Sequence, residues 1–246
     1  MPAVLIHGVP EIPQIWDPLR SHLHRGDVVA LQLPGFGCPR PNGFGATKEE
    51  YVVWLVGELE RLRTGGPVDV VGHDWGGGFV VRLVSSRPDL VRSWVTDVGA
   101  LGDGSFEWHK LAKIWQTAGA GEEFFERQLT QTVEERASVL QTLSIPRDVA
   151  FAMADAADRT MSECILALYR SAVDVGREWG PEFRNIPAPG LVVVPSEDPF
   201  LPAEAANKAA GQAGADLVDL VGLGHWWMLE DTARAAALLE EFWAPL

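Results

Sequence analysis

Six short apolar runs, at residues 3–6, 27–32, 68–71, 91–98, 190–194 and 215–220, alternate along the chain with longer stretches of helical character. Each run is nearly continuous in Val, Leu, Ile and Ala, as a strand must be when both of its faces are covered. Strands that alternate with helices imply a parallel sheet, because two parallel strands can be joined only by a crossover. Residues 47–63 make the clearest crossover: Thr47 and Glu50 have capping-box spacing, and Tyr51, Leu55 and Leu59 follow at helical intervals. Residues 76–86 and 231–243 read as two more. The expected class is therefore α/β, with a mostly parallel sheet of about six strands.

The alternation stops between about residues 101 and 186, where helix-like segments follow one another. A helical cap at 102–186 is expected there, inserted over the carboxyl edge of the sheet and dividing a core made of 1–101 and 187–246. With 246 residues, 47% of them hydrophobic, the chain is long enough for such a domain with its insertion. A formal charge of -14 argues against nucleic acid or an anionic membrane as partner, since both attract the opposite sign. No apolar run reaches the roughly 20 residues of a membrane span, and MPAVLIHGVP has no basic leader, so a cytoplasmic location is expected. Cys38 and Cys164 lack metal-ligand spacing, and no phosphate loop or dinucleotide fingerprint is present, so no cofactor and no metal are expected.

In a parallel α/β sheet, ligands lie beyond the carboxyl ends of the strands, which directs attention to four loops. The first run is followed by His7-Gly8-Val9-Pro10, the third by His73-Asp74-Trp75 within VGHDWGG, the fifth by PSEDPF with Asp198, and the sixth by GLGHWW with His225. The second has the outline of the strand-turn-helix elbow GxSxG, with Asp where the serine would stand. Nucleophile, acid and histidine then follow in that order along the chain. Asp74 taken alone could be a turn residue beside a helix N-terminus.

Taken together, these loops resemble the α/β-hydrolase family, and within it the aspartate-nucleophile branch of epoxide hydrolases and haloalkane dehalogenases. HGVP resembles the HGxP motif of that branch, LPGFG its strand-4 loop, VGHDWGG its elbow, EDPFLP its acid loop and GLGHWWMLE its histidine loop. The resemblance spans nearly the whole chain, although many relatives have two strands before HGxP that are lacking here. It implies Asp74 as nucleophile, forming an alkyl ester that water cleaves. His225 is then the base and Asp198 its acid, and the backbone N–H groups of Val9 and Trp75 form the oxyanion hole. Glu197 and Asp97 are rivals for the acid, with Asp198 favoured. His73 is expected to point inward.

The cap must distinguish the two reactions, because a halide wants N–H donors and an epoxide oxygen wants a proton. The chain has two tyrosines, and Tyr51 lies on a core helix. Tyr169, in CILALYRSA, and His109, in EWH, resemble a His/Tyr donor pair known in some relatives. Trp75, Trp108 and Trp115 are the candidate halide donors. An epoxide hydrolase acting on a hydrophobic neutral substrate, with water as co-substrate, is the first expectation and a haloalkane dehalogenase the second. A non-catalytic binding protein with a hydrolase-like pocket is the alternative of another class. Oligomeric state is not legible.

Overall fold

The computed structural model describes residues 1–98, 106–200 and 203–246. The expected cap boundary at 101/102 and the last two residues of EDPFLP lie outside the described residues. Strands β1 (Ala3–Ile6), β2 (Val28–Leu31), β3 (Val68–Gly72), β4 (Val91–Thr96), β5 (Gly190–Pro195) and β6 (Asp216–Leu220) form one sheet in the order β2-β1-β3-β4-β5-β6. Every pairing is parallel, so the sheet is wholly rather than mostly parallel. All residues of β1, β3 and β5 are buried, whereas the edge strands β2 and β6 are partly exposed. That is the burial pattern of a sheet covered on both faces.

The helices α1 (Asp17–Arg20), α2 (Lys48–Leu62) and α3 (Trp75–Ser86) connect the first four strands. Thr47 caps α2 in the expected box, its hydroxyl accepting from the Glu50 N–H while the Glu50 carboxylate accepts from the Thr47 N–H. Tyr51, Leu55 and Leu59 form the buried stripe of that helix. Among the described residues, six α-helices then follow one another between β4 and β5: α4 (Lys110–Gln116), α5 (Ala120–Leu129), α6 (Val133–Gln141), α7 (Arg147–Ala156), α8 (Arg159–Ser171) and α9 (Val175–Trp179). The chain closes with α10 (Ala203–Ala213), α11 (Trp227–Glu230) and α12 (Thr232–Trp243). Among the described residues, no helix is long and apolar enough to cross a membrane.

α8 is the ridge on which α4 and α5 pack, and its end is tied to the start of α2. The Lys48 backbone N–H donates to Ser171 Oγ at 2.9 Å, and the Lys48 ammonium donates to the Ser171 carbonyl at 2.7 Å. A cation is thus held at a helix C-terminus, where the peptide dipoles favour it.

Strand order reverses between β1 and β3, so the loops leaving these two strands diverge and open a crevice at their carboxyl ends. The elbow at β3 closes on β1 with no spare volume. A side-chain carbon on Gly72 would collide with the Gly76 carbonyl, and one on Gly76 would collide with the Ile6 carbonyl. Gly57, in the exposed middle of α2, has nothing within 4 Å of that position. Gly76→Ala is therefore expected to destabilise the fold by about 2 kcal/mol or more. Gly57→Ala should stabilise it by roughly 0.5–1 kcal/mol by lowering the entropy lost in the helix. Urea denaturation of the two variants beside the parent chain measures both signs.

Candidate active site

β3 ends at Gly72 and α3 begins at Trp75, leaving His73 and Asp74 to make the turn. Asp74 takes φ 49° and ψ -121°, a conformation that L residues rarely adopt and that lifts its side chain out of the sheet end. Its backbone is held on both sides: the Asp74 N–H donates to Asp97 Oδ1 at 3.0 Å, and the Gly78 N–H donates to the Asp74 carbonyl at 3.0 Å. Its carboxylate Oδ1 accepts from the Val9 N–H at 2.8 Å. Only glycine can precede Val9, because a side-chain carbon on Gly8 would occupy the space of the Asp74 carboxylate. Burial pushes the Asp74 carboxyl up to about 6; the His225 charge opposes that rise, Glu11 adds to it, and the Trp75 amide opposes it as well.

His225, in the loop after β6, places Nδ1 2.8 Å from Asp198 Oδ2, and Asp198 Oδ1 accepts from the Phe200 N–H at 2.8 Å. Burial disfavours the Asp198 charge, yet the hydrogen bond and charge of His225 hold its carboxyl below the usual range. Of the two rivals, Glu197 is exposed. Asp97 is committed elsewhere, with Oδ2 2.5 Å from His73 Nδ1 and accepting from Trp227 Nε1 at 2.8 Å. With Nδ1 of His225 engaged, Nε2 is the nitrogen left for proton transfer.

Beneath these groups lies a buried acid that sequence reasoning overlooked. Glu11 is fully buried, with Oε2 accepting from the Gly8 N–H at 2.7 Å and Oε1 from Trp226 Nε1 at 2.6 Å. Oε1 also lies 3.0 Å from His73 Nε2, a charge contact that is not aligned as a hydrogen bond. Burial alone would raise the Glu11 carboxyl, but the charge of His73, the His225 charge and the Gly8 N–H together bring it down to about 2. Burial likewise opposes a charge on His73, and Glu11 and Asp97 on either side overcome it, holding its pKa well above the ordinary value. His73 therefore points inward, as expected, but as an imidazolium between two carboxylates. Glu11, His73 and His225 bring ligand atoms within 4.8 Å of one another, the geometry of a possible cation site. The proton on His73 already balances charge there, and Trp226 occupies Glu11 Oε1. The only signal for Glu11 in the sequence is an acid directly after HGVP, in an otherwise apolar turn.

His7 fixes the same loop from the other side. Its Nε2 accepts from the Leu33 N–H at 3.2 Å, so Nδ1 carries the proton and donates to the Gly8 carbonyl at 2.9 Å. Burial lowers the imidazole to about 4, which keeps it neutral.

Among the helices between β4 and β5, α8 presents Tyr169 against Trp75, Trp108 and Trp115, with ring centroids 5.6, 5.1 and 4.8 Å away. Burial first, and then the charge of Asp74, raise the Tyr169 hydroxyl well above its ordinary pKa, with the Trp75 indole opposing. Tyr169 is therefore protonated at neutral pH and within the field of Asp74. His109 does not join it there. Its Nδ1 accepts from the Ala112 N–H at 3.2 Å as the cap of α4, its ring lies 5.1 Å from Phe200, and its pKa is lowered by burial and then by His225. It faces the His225–Asp198 pair, so the expected convergence with Tyr169 over Asp74 is corrected. Trp108 is corrected as a donor too, because its indole N–H is spent on the Ala172 carbonyl at 2.9 Å. The indole N–H groups of Trp75 and Trp115 are buried without a hydrogen-bond partner.

A nucleophile elbow, an amide facing its side chain and an acid-supported histidine, all at the carboxyl ends of one parallel sheet, define a hydrolase of the α/β class. The sequence profile of the alpha/beta hydrolase family matches residues 3–238, and the chain belongs to that family. The 2-hydroxymuconate semialdehyde hydrolase of Pseudomonas putida is 27% identical over 99% of this chain and 87% of its own. The (E)-2-((N-methylformamido)methylene)succinate hydrolase of Acinetobacter baylyi is 33% identical, but the match covers 37% of this chain and 35% of that protein. The chain thus spans about a third of the length of that relative. Among solved structures, the meta-cleavage product hydrolase CumD of Pseudomonas fluorescens superposes with a TM-score of 0.79 at 20% identity, covering 100% of this chain and 91% of that one. The haloalkane dehalogenase DbeA of Bradyrhizobium elkani gives 0.74 at 19% identity, covering 100% and 92%.

Two outcomes follow from the charges. Gln at position 11 has one acceptor oxygen for two donors and leaves the His73 cation half-balanced, so Glu11→Gln should cost about 3 kcal/mol in urea denaturation at neutral pH. For Asp74, the folded pKa lies above the unfolded one. The folded state therefore binds the extra proton between about pH 4 and 6, and stability falls as pH rises through that window. Asp74→Asn should accordingly be more stable than the parent by about 2 kcal/mol at pH 7. Denaturation at a series of pH values should show that gain vanish as the pH approaches 4.

Proposed function

We propose that this hydrolase acts through a covalent ester on Asp74, and that its reaction is the opening of an epoxide on an apolar substrate to a diol. The observation that carries the reading is the division of labour on the Asp74 carboxylate, where the Val9 N–H holds Oδ1 and the protonated Tyr169 hydroxyl lies within the charge's field. Oδ2 is then the attacking atom. A carboxylate at this elbow is already ionised near neutral pH, and the N-terminus of α3 favours its charge, so no base is required for the first step.

Oδ2 attacks a ring carbon, the carbon–oxygen bond breaks, and the departing oxygen takes the Tyr169 proton. The product is an alkyl ester whose carbonyl oxygen is Oδ1. His225 Nε2 then removes a proton from water, the hydroxide adds to the Asp74 carboxyl carbon, and negative charge collects on Oδ1 where the Val9 N–H waits. Collapse breaks the bond from that carbon to Oδ2, which leaves with the substrate and takes the proton of the newly added hydroxyl, so that the diol is released and the Asp74 carboxylate restored. The proton held on His225 restores Tyr169. Asp198 orients the imidazole and stabilises its cation throughout.

Haloalkane dehalogenation is the second reading, favoured by the unpartnered indole N–H groups of Trp75 and Trp115, which are the donors a leaving halide needs. A dehalogenase among the fold neighbours is consistent with it. Serine chemistry of the kind named for another neighbour, a serine hydrolase of carbazole degradation, lacks its nucleophile here, because position 74 is Asp.

His225→Gln separates the steps, since attack by Asp74 proceeds without the base and ester cleavage does not. Turnover should fall by about a thousandfold. Intact-mass measurement after exposure to an epoxide panel should find a stable adduct of substrate mass, mapped to the Asp74 peptide. An unmodified Asp74 peptide after exposure to a compound that the parent chain converts would overturn the ester mechanism. Diol formation against halide release by the parent chain decides between the two substrates.

A further inference from the structure

The cap encloses a cavity of about 400 Å³ between α5, α6, α7 and α8, with Pro10 of the core in its wall. Pro10 follows the Val9 amide that grips Asp74. Phe125, also in the wall, stacks on Trp115 at 5.7 Å, and Trp115 meets Tyr169 at 4.8 Å. Ile165 and Met161 of α8 line the cavity one and two helical turns before Tyr169, on the same side of the helix. The cavity thus borders the site at three places: Pro10, the Phe125–Trp115–Tyr169 ring chain and the apolar side of α8.

Its lining is apolar apart from Gln128, Gln131, Ser162 and two arginines, and none of it is acidic, although the chain as a whole carries a charge of -14. Arg136 is engaged with backbone, its guanidinium donating to the Gln131 and Ala154 carbonyls at 2.6 and 2.9 Å. Arg127 is exposed at the cavity and, among the described residues, its side chain forms no ion pair or hydrogen bond. Arg159 and Arg170 of α8 are paired, with Glu126 and Glu122, whereas Arg147 of α7 lies over the Phe151 ring.

We infer that the substrate carries an apolar arm ending in an anion, and that the arm lies in this cavity with Arg127 at its far end. The inference rests on the reading that the substrate reacts at Asp74, and it replaces the expectation of a neutral substrate. Asp74 is followed by Trp75 and three glycines, with no arginine beside it, whereas Arg127 lies on α5. Burying the arm supplies binding energy remote from the reacting carbon, and the terminal carboxylate fixes which carbon stands over Oδ2.

Titration calorimetry of the whole chain with decanoate, with decanol as the neutral probe of equal length, tests this apart from the chemistry, since neither compound has a reactive carbon. The parent chain should bind decanoate about fivefold more tightly than decanol, and Arg127→Gln should abolish the difference. Ile165→Trp, which fills the cavity from α8, should weaken both by about tenfold or more, and Ala157→Leu from the opposite wall repeats the test in case the first variant folds poorly. Equal affinity for the two probes, or no response to Arg127→Gln, overturns the anionic terminus. Decanoate binding that ignores both cavity variants overturns the location. Decanoate binding as expected, with no Asp74 adduct from any epoxide or halide, overturns the reaction and leaves the arm's site standing.

Discussion

Glu11 is fully buried, and the molecule surrounds its charge with groups from three different loops. One oxygen takes the Gly8 N–H of the loop that presents Val9, and the other takes the indole of Trp226, next to His225, while lying against His73, next to Asp74. Asp97 repeats the arrangement on the far side of His73, holding the Asp74 N–H and the Trp227 indole. Two carboxylates and one imidazolium are costly to bury, and what they return is specificity of geometry, because each donor has a single place where its partner is satisfied. The Val9 amide, the elbow and His225 are therefore positioned relative to one another by a common charged floor. Flexible loops alone would not give that registry.

Above the floor the surroundings change from charged to aromatic. Tyr169, Trp75, Trp108 and Trp115 pack edge and face around the position where a substrate would meet Asp74. Low polarity raises both the carboxyl of Asp74 and the hydroxyl of Tyr169, which keeps the second protonated while the first remains ionised at neutral pH. α8 makes this possible because its C-terminus is clamped to α2 by Lys48 and its apolar side continues from Tyr169 into the cap cavity. The same helix therefore brings the Tyr169 hydroxyl toward Asp74 at one end and a cavity wall at the other.

Much of the fold was legible from local pattern. Runs of apolar residues marked all six strands within about two residues at either end, and Thr47 with Glu50 marked the start of α2, because burial on both faces and helix capping act on neighbours in the chain. Asp74, His225 and the HGVP loop were legible because each follows a strand end. The choice between Asp97 and Asp198 was not, since both follow strands and only the packing of the His225 loop shows which one its Nδ1 meets. Trp108 failed as a halide donor for a related reason: a backbone carbonyl claims its one indole N–H, and such a claim depends on how the helices between β4 and β5 turn.

What the sequence determined by itself is the order of strands and crossovers along the chain, the glycine elbow, and the carboxylate of Asp74 at its turn. These follow from side-chain periodicity and from a turn that tolerates nothing larger than glycine at Gly72 and Gly76. The tertiary structure alone decided that Glu11 is a charged hub instead of a surface acid, that His73 carries a proton, and that Tyr169 is buried among Trp75, Trp108 and Trp115. Charge balance in a dry interior is set by groups far apart in the chain, and no local spacing encodes which of them will meet.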